Sequence, residues 1–438
     1  MGTTRRAVTP AMMTDRYELT QLEAALLDGT ADQPAVFELF TRSLKPGRGY
    51  GVLAGLDRFL DALDGFSYTE EELAFLEEVG AIGPAARAYL TGWRFTGDIS
   101  GYREGDLFFA HSPVLTVECS FGDGLLLETL VLSIFNHDSA VASAAARMAT
   151  AAAGRPMIEM GSRRTEESAA ISAARAAYLV GFESTSNLAA GFLHGIPTSG
   201  TAAHAFTLAH DTEAAAFDSQ LAALGLGTTL LVDTYDIEAG IVHAVEAARR
   251  LGAVGPGAIR IDSGDLDVVV HAARRQLDAL GAWETKIVVT SDLDEFSIEE
   301  LSAAPVDVYG VGTSVATGSG HPTVGFVYKL VSVASEGTTD QHPVAKRSSG
   351  KASVGGLKSA WREYDAHGTI SAERFVVTDE LDHDRPGALQ VRLVVDGRRV
   401  AHSSIDAIRA HHQHAKAGLD EVDLGLKVSE PRISAAPA

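Results

Sequence analysis

The chain has 438 residues, 46% of them hydrophobic and 21% charged, a composition typical of a globular protein with two or three domains. Its formal net charge of −22 disfavours nonspecific binding to nucleic acid or anionic membranes, and no apolar run approaches the roughly 20 residues that span a bilayer. Cys119 is the only cysteine, which excludes an internal disulfide and a cysteine-based zinc site and leads us to expect a cytoplasmic protein.

The first part of the chain mixes strand and helix patterns. The spacing of apolar residues predicts strands over residues 36–40, 93–100 and 106–111, and helices over 52–63 and 70–79. We therefore expect an N-terminal α+β domain over residues 1–113, in which residues 1–11 form a loose leader.

The middle of the chain is more regular. A long helical pattern over residues 128–152 is followed by short apolar runs that end on polar or glycine residues and alternate with helical stretches. The six runs are 157–161, the segment that begins at Ile196, 229–233, 258–262, 286–290 and 306–310. This alternation predicts a parallel sheet over residues 114–330, as either a doubly wound sheet or an α/β barrel.

The last part, residues 331–438, loses this regularity. A basic, glycine-rich segment covers Lys346 to Lys358 in an otherwise acidic chain. The later patterns at 374–378 and 389–395 predict strands that complete the N-terminal sheet, and residues 429–438 are expected to form a loose tail.

Polar residues follow the predicted parallel strands, and the carboxyl ends of such strands meet on one side of a sheet or barrel. A barrel would therefore gather six distant residues into one pocket: Arg163, His204, Asp233, Asp262, Ser291 and Thr313. The structural alternative is that the acidic and hydroxyl residues only cap the helices that follow. For any single residue we favour the cap, and for all six together we favour a site.

These residue types fit the handling of a phosphorylated sugar. The loop before His204 offers small hydroxyl residues and a glycine, and its imidazole can exchange a proton or accept a phosphoryl group. Gly310, Gly312 and Thr313 can cradle a phosphate with backbone amides, although Val315 replaces the third glycine of a dinucleotide fingerprint. Transfer of a phosphosugar, or an aldolase or isomerase reaction, remains open at this point.

Charged residues refine these alternatives. Arg163, Arg164 and Arg260 can bind phosphates or a carboxylate, and the aspartates can hold Mg²⁺ or stabilise a cationic sugar. The six strand ends contain no lysine, apart from Lys286 at a strand start, which disfavours a Schiff-base aldolase, although Lys329 just beyond the last unit keeps this alternative open.

Seven motifs in order resemble those of the nicotinate phosphoribosyltransferase family, over nearly the whole chain. They are Thr14 to Thr20, Glu159 to Arg164, Gly181 to Asn187, Gly200 to His204, Arg260 to Asp265, Tyr309 to Thr313 and Tyr328 to Leu330. The resemblance implies an irregular, incomplete, TIM-like α/β barrel. It also implies an N-terminal open-faced α+β sandwich that C-terminal segments complete.

The resemblance further implies a ligase-type reaction of NAD biosynthesis. Nicotinate and phosphoribosyl pyrophosphate give nicotinate mononucleotide and pyrophosphate, coupled to the hydrolysis of ATP, with Mg²⁺ and a homodimeric enzyme. His204 corresponds to a histidine that ATP phosphorylates, and Asp233 and Asp262 to residues near the ribose and the Mg²⁺–pyrophosphate. Tyr17 corresponds to an aromatic that stacks on the pyridine ring across the dimer.

The remaining expected contacts also rest on the resemblance. Arg163 and Arg260 would bind the nicotinate carboxylate or the phosphates. Met160 stands where the family commonly has phenylalanine beside the ring. The other substrate-binding residues implied are Ser186, Thr201, Ser291, Gly310, Gly312 and Thr313, with Asp292 nearby.

Three alternatives are weighed against this function. Nicotinamide phosphoribosyltransferases have an aspartate at the position of Ser186, which would repel nicotinate, so the serine favours the acid. Quinolinate phosphoribosyltransferases are usually shorter and lack the histidine. A non-catalytic sugar-phosphate-binding protein is disfavoured because His204, Asp233 and Asp262 are all present.

Overall fold

The computed structural model describes residues 7–335, 337–346 and 354–438, so residues 347–353 of the predicted basic segment lie outside the described residues. Contacts between Cα atoms divide the chain into two compact units, residues 141–322 and the rest. We call residues 141–322 the middle unit and the rest of the chain the outer unit. The observed boundaries, at 140/141 and 322/323, differ from the predicted ones at 113 and 330, because the strands next to the predicted boundaries pair with a strand of the outer unit.

The N-terminal part begins with a short 3₁₀ helix, Pro10–Met12, in which Ala11 is buried. Its strands are β1 (Pro34–Thr41), β2 (Gly51–Val52), β3 (Asp98–Gly101), β4 (Leu107–Phe108) and β5 (Leu115–Ser120). Its helices are α1 (Arg16–Asp28), α2 (Leu56–Asp64), α3 (Glu70–Glu78), α4 (Pro84–Leu90), α5 (Phe121–Leu126) and α6 (Glu128–Ala151). The predicted elements over 52–63, 93–100 and 106–111 are therefore shorter than expected, since part of each is loop.

The middle part alternates strands and helices, as the sequence predicts. Its strands are β6 (Met157–Glu159), β7 (Ser184–Thr185), β8 (Thr229–Leu231), β9 (Ala258–Ile261), β10 (Lys286–Val289) and β11 (Val308–Val311). Its helices are α7 (Glu167–Leu179), α8 (Leu188–His194), α9 (His204–Leu208), α10 (Glu213–Leu224), α11 (Ile237–Arg250), α12 (Leu266–Ala279), α13 (Glu295–Glu300) and α14 (Thr313–Ala316), with a 3₁₀ turn at Leu301–Ala303.

The C-terminal part is mostly strands. They are β12 (Phe326–Ala334), β13 (Gln341–Pro343), β14 (Lys358–Tyr364), β15 (Ile370–Val377), β16 (Val391–Val395), β17 (Arg398–Arg399) and β18 (Ala435–Pro437). Two helices, α15 (Ile405–Lys416) and α16 (Glu421–Leu424), precede the last strand.

The outer unit is built on a seven-stranded sheet with the order β13-β12-β1-β5-β3-β16-β17. β1 pairs with both β5 and β12, which is why these two strands belong here and not to the middle part. Of the two predicted C-terminal strands, β16 joins this sheet by pairing with β3, whereas β15 lies in a separate sheet with β14 and β18. The expected loose tail instead pairs β18 with β15 and buries Ile433.

The middle unit has a parallel sheet with the order β7-β6-β11-β10-β9-β8. The first strand of the unit, β6, lies beside the last, β11, as it does when a βα series curls into a barrel. The strand ladder is open between β7 and β8, within a segment that the structure describes completely. The fold is therefore an irregular, incomplete α/β barrel, and the doubly wound alternative is excluded.

The segment after Ile196 is a loop rather than one of the six strands. Its only strand-like contact is a single bridge between Thr198 and Thr185, and β7 takes the expected place in the sheet. Proline at position 197 and glycines at 195 and 200 interrupt regular pairing. The loop thus follows the open side of the barrel, between the strand that it touches and β8.

The motif at Thr14 contains a buried carboxyl group with a structural role. Glu18 is fully buried on α1 and accepts hydrogen bonds from Thr129 N (2.7 Å), Thr129 Oγ1 (2.5 Å) and Thr14 Oγ1. Burial raises the pKa of Glu18 to about 7, and these hydrogen bonds oppose the shift. The folded protein therefore holds this proton more tightly than the unfolded chain does.

We expect Glu18→Gln to remove a loss of stability at alkaline pH. The stabilising effect of the Glu18 proton is complete below pH 4.5 and is lost as the pH rises through about 7. Glutamine keeps the neutral hydrogen bonds, so the variant should match the parent at pH 5 and exceed it by roughly 2 kcal/mol at pH 9. Urea unfolding at the two pH values measures this, with exposed Glu78→Gln as the control. Equal pH profiles for Glu18→Gln and the parent would contradict the assignment.

Candidate active site

Two adjoining depressions lie at the carboxyl ends of the parallel strands in the middle unit. One, of about 210 Å³, is lined by Met160, Arg163, Arg164, Arg260, Asp262, Thr290, Ser291, Asp292, Gly310, Gly312 and Thr313. The other, of about 290 Å³, is lined by Met160, Arg163, Ser186, Gly200, Thr201, Ala202, Ala203, His204, Leu231, Arg260 and Asp262. We call the first the glycine-loop depression and the second the histidine depression. Met160, Arg163, Arg260 and Asp262 line both and form their shared wall.

The predicted convergence of strand ends is thus observed. Arg163, His204, Asp262, Ser291 and Thr313 all line one or both depressions. Asp233 lies directly behind the wall, where its Oδ2 accepts hydrogen bonds from Asp262 N and Ser263 Oγ, both at 2.8 Å. Tyr17 lies on α1 of the outer unit with 41% of its surface exposed, and its expected stacking on a substrate ring stays a prediction.

The capping alternative applies to other residues. Helices α11 and α12 are capped by Asp236 and Asp265, whose side chains accept hydrogen bonds from Ala239 N and Val268 N. Each capping residue comes three positions after the aspartate at the strand end. Asp233 and Asp262 are therefore not needed as caps. Asp262 lines both depressions, and Asp233 Oδ1 lies 4.0 Å from His204 Nε2.

Arg260 is the centre of the shared wall. Only 8% of its surface is exposed, and its guanidinium donates three hydrogen bonds: from Nε to Thr290 Oγ1 (2.8 Å), from Nη1 to Thr201 Oγ1 (2.9 Å) and from Nη2 to Asp262 Oδ2 (3.0 Å). Thr290 in turn donates to Asp262 Oδ1 at 3.0 Å. Arg260 lies on β9 and Asp262 directly follows that strand, so the two side chains, two residues apart in extended chain, project to the same side. The network fixes the carboxylate of Asp262 at both oxygens.

His204 lies between a hydroxyl group and a carboxylate. Its Nδ1 is 3.2 Å from Thr234 Oγ1, and its Nε2 is 4.0 Å from Asp233 Oδ1. That carboxylate oxygen is buried and has no hydrogen-bond partner within the described chain, whereas the imidazole is 43% exposed. The two ring nitrogens of His204 therefore face different groups, Nδ1 a hydroxyl and Nε2 a buried carboxylate.

The floor of the shared wall is tightly packed around Met160. A Cβ atom at Gly310 would lie 2.5 Å from Thr290 Cγ2 and 2.9 Å from Met160 Sδ, so only glycine fits there. Ser186 also lines the histidine depression, and its N–H donates to Glu159 O, in the residue before Met160, at 2.8 Å. Met160 and Ser186 therefore lie near each other in the wall of this depression.

The glycine-loop depression has the features of an anion site. Ser291, two residues after the end of β10, has a φ of 136°, a conformation that a non-glycine residue rarely adopts and that occurs preferentially at functional sites. Gly310 lies on β11, Gly312 directly follows that strand, and Thr313 begins α14. The exposed Arg164 lines the same depression. Backbone amides and a guanidinium thus surround a space that suits a phosphate.

Sequence reasoning did not single out several residues that organise the site. Thr290 links Arg260 to Asp262, and Thr234 contacts His204. Glu159, which is 1% exposed, accepts hydrogen bonds from Thr185 Oγ1 (2.5 Å) and from Gly161 N. Glu159 thereby ties the loop after β6 to the loop after β7. Only its place directly before Met160 pointed to it, because its role depends on a neighbouring strand.

The two lysines considered for a Schiff base lie away from this site chemistry. Lys286 is exposed at the start of β10, at the end of the strand opposite to the depressions. Lys329 lies on β12 of the outer unit with its Nζ 3.5 Å from Glu128 Oε1. The depressions themselves are lined by no lysine. Aldolase chemistry through an imine is accordingly not supported.

The carboxylates of the site could contribute to a shared metal shell but not supply one alone. Among the residues that the structure describes, no group of three or more His, Cys, Asp or Glu side chains is arranged to hold a metal ion. Mg²⁺ commonly binds through one or two carboxylates together with substrate phosphates and water. The unpartnered Oδ1 of Asp233 and the nearby carboxylate of Asp262 fit such a shell.

Comparisons with known proteins agree with this architecture. Residues 12–136 match the family model described as the nicotinate phosphoribosyltransferase N-terminal domain. A nicotinate phosphoribosyltransferase of Mycobacterium tuberculosis is 52% identical over 96% of this chain and 94% of its own length. One of Bacillus subtilis is 36% identical over 75% of this chain and 68% of its own. The crystal structure of human nicotinic acid phosphoribosyltransferase shares the fold, with a TM-score of 0.82 at 24% identity and 97% coverage of both chains.

No helix within the described residues combines the length and the apolar character that crossing a bilayer requires.

Proposed function

The chain belongs to the nicotinate phosphoribosyltransferase family, and from this premise we propose how its site joins nicotinate to phosphoribosyl pyrophosphate in NAD salvage. The observation that carries the proposal is the shared wall of Arg260 and Asp262 between two depressions of different character. The glycine-loop depression suits the 5′-phosphate of the sugar, and the histidine depression, whose wall includes Met160 and Ser186, would take the pyridine ring, so we call it the ring slot.

The transfer step needs positioning and charge rather than a general base. The pyridine nitrogen of nicotinate attacks C1 of the ribose with its own lone pair, and the C1–O bond to pyrophosphate breaks with its electron pair leaving on pyrophosphate. Positive charge that develops on the ribose is stabilised by Asp262, and the charge of the leaving group by Arg163 and Arg260. Mg²⁺ bound to pyrophosphate would neutralise the same leaving group, with Asp233 and Asp262 as its protein ligands.

ATP enters the account through His204. With its proton on Nε2, the ring nitrogen that lies 4.0 Å from Asp233 Oδ1, His204 has a lone pair on Nδ1, as a nucleophile requires. Nδ1 attacks the γ-phosphorus of ATP, the bond to the bridging oxygen breaks and ADP leaves. Water later hydrolyses the phosphohistidine to phosphate and restores the imidazole. This is the ligase-type coupling that the family resemblance implies, and it makes His204 a phosphoryl acceptor rather than a base.

A homodimer would supply the second face of the ring slot. Tyr17 is exposed on α1 of the outer unit, and burial together with Glu128 raises its pKa to about 12, so the phenol stays neutral. We propose that Tyr17 of a second copy stacks on the nicotinate ring opposite Met160, whose thioether is a suitable soft contact for an aromatic ring.

Ser186 provides a test of selectivity for the acid over the amide. We expect Ser186→Asp to raise KM for nicotinate tenfold or more, because two carboxylates about 4 Å apart repel by roughly 1–4 kcal/mol. Ser186→Asn, which has nearly the same shape without the charge, is the control and should change KM far less. Steady-state kinetics with nicotinate measure both variants. Equal effects of the two substitutions would remove the electrostatic argument.

A product assay tests the proposed reaction as a whole. Purified enzyme is given phosphoribosyl pyrophosphate and Mg²⁺ with nicotinate, nicotinamide or quinolinate, each with and without ATP, and the mononucleotide is quantified. The proposal predicts product from nicotinate, with more product when ATP is present and ADP formed alongside it. Preferred use of nicotinamide would support the alternative enzyme, and no product from any pyridine would support a non-catalytic binding protein.

A further inference from the structure

We propose that Thr201 is a positioning residue that couples the state of His204 to the binding of the sugar pyrophosphate, through its hydrogen bond to Arg260. The inference rests on the proposed function, since it concerns how ATP chemistry at His204 reaches the transfer site. Thr201 was expected from the family resemblance to contact substrate. Its hydroxyl instead accepts from Arg260 Nη1 at 2.9 Å and donates to Ala202 O at 3.3 Å.

Thr201 connects the loop before His204 to Arg260 on β9. It lies three residues before His204, in the loop at the open side of the barrel, where the ladder between β7 and β8 is missing. The loop touches β7 through the bridge between Thr198 and Thr185. The bond to Arg260 links the His204 end of the loop to β9, on the far side of that opening. Thr201 therefore gives the His204 end of the loop a hydrogen bond to Arg260, in addition to the contact of His204 with Asp233, which accepts from Asp262 N.

Arg260 also connects to residues of the glycine-loop depression. Its Nε and Nη2 donate to Thr290 Oγ1 and Asp262 Oδ2, and both of these residues line the glycine-loop depression. Because the guanidinium is planar and rigid, its three hydrogen bonds cannot adjust independently. A rotation that lengthens the bond to Thr201 also moves the donors that hold Asp262. The guanidinium of Arg260 thus connects the walls of the two depressions.

Phosphorylation of His204 changes the charge in the depression that Arg260 lines. A phosphoryl group on His204 adds negative charge and three acceptor oxygens within the depression that Arg260 also lines. Arg260 has five N–H groups, of which three are used in the bonds described, so two remain for a new acceptor. The tether at Thr201 keeps the phosphorylated loop within reach of these donors. Without it, the phosphorylated loop would lose its hydrogen bond to the guanidinium of Arg260.

The experiment compares Thr201→Val with two matched variants. Thr201→Ser keeps the hydroxyl, and Thr198→Val makes the same isosteric change at an exposed position of the same loop, away from Arg260. Three quantities are measured for each enzyme: labelling of His204 by γ-labelled ATP, KM for phosphoribosyl pyrophosphate with and without ATP, and ATP hydrolysed per nicotinate mononucleotide formed.

We expect Thr201→Val to keep the label on His204 but to lose the lowering of KM by ATP. The ATP consumed per product should rise about fivefold or more, the lower end of a typical coupling between two sites. Thr201→Ser and Thr198→Val should behave as the parent. A parental ratio and KM response in Thr201→Val would overturn the inference, as would loss of its label, which would confine Thr201 to a role at His204. Absence of label in the parent enzyme would instead refute the proposed function.

Discussion

Replacing His204 with asparagine is expected to abolish the ATP hydrolysis that accompanies product formation while slow, ATP-independent transfer persists. The asparagine side chain can still contact Thr234 but has no nucleophilic nitrogen to receive a phosphoryl group. Transfer depends on Arg260, Asp262 and the glycine loops, which the substitution leaves in place. We therefore expect at least a 100-fold loss of coupled ATP turnover, within the range for removal of a covalent catalyst, and a much smaller change in the ATP-independent rate.

The matched control is His210→Asn, which removes another imidazole close to the same short helix. His210 Nδ1 lies 2.8 Å from Phe206 O, so its role is to support the local backbone. This variant should keep coupled ATP turnover. ADP release and mononucleotide formation are measured in the same reaction for both variants. Coupled turnover that survives in His204→Asn would refute the assignment of the phosphoryl acceptor.

Replacing Arg362 with methionine is expected to lower the free energy of unfolding by about 3–5 kcal/mol. Arg362 is buried in the outer unit and donates from Nη1 to Asp106 Oδ1 (2.8 Å) and from Nη2 to Glu373 Oε2 (3.0 Å). Burial alone would raise the pKa of Asp106, but Arg362 holds it below its usual value, whereas the pKa of Glu373 stays raised by burial. Removing the guanidinium leaves two buried carboxyl groups without their cation.

The loss in Arg362→Met should shrink between pH 8 and pH 5, because protonation can neutralise the carboxyl groups that the arginine no longer pairs. Arg398→Met, at an exposed position of the same unit, should change stability by no more than about 0.5 kcal/mol. Urea unfolding of all three proteins at both pH values measures these effects. A loss below about 1 kcal/mol for Arg362→Met, or one that grows as the pH falls, would contradict the electrostatic role.

The barrel and its site could be predicted because their signals are local. The order of apolar runs and helices indicated a parallel sheet, and the residues at successive strand ends indicated a pocket. The sequence could not distinguish a capping aspartate from a site aspartate, because both follow a strand. Only the structure assigns the caps to Asp236 and Asp265.

The features that the sequence did not reveal depend on contacts between distant segments. The alternating pattern includes the loop that contains Thr201 as one of its six units, although proline and glycine interrupt its pairing and β7 takes the place in the sheet. The separate sheet that contains β15 and β18 pairs segments with unrelated local patterns, so the loose-tail prediction was wrong. Glu159 and Thr290 likewise acquire their roles from neighbouring strands, which no single segment encodes.

The most direct test of the account is the chemical form of the enzyme after brief exposure to γ-labelled ATP and Mg²⁺. The account predicts an acid-labile, alkali-stable label that peptide mapping places on His204. Addition of phosphoribosyl pyrophosphate and nicotinate should then discharge this label as inorganic phosphate while nicotinate mononucleotide forms. A label on another residue, or product formation with ATP consumed and no labelled His204, would contradict the central claim.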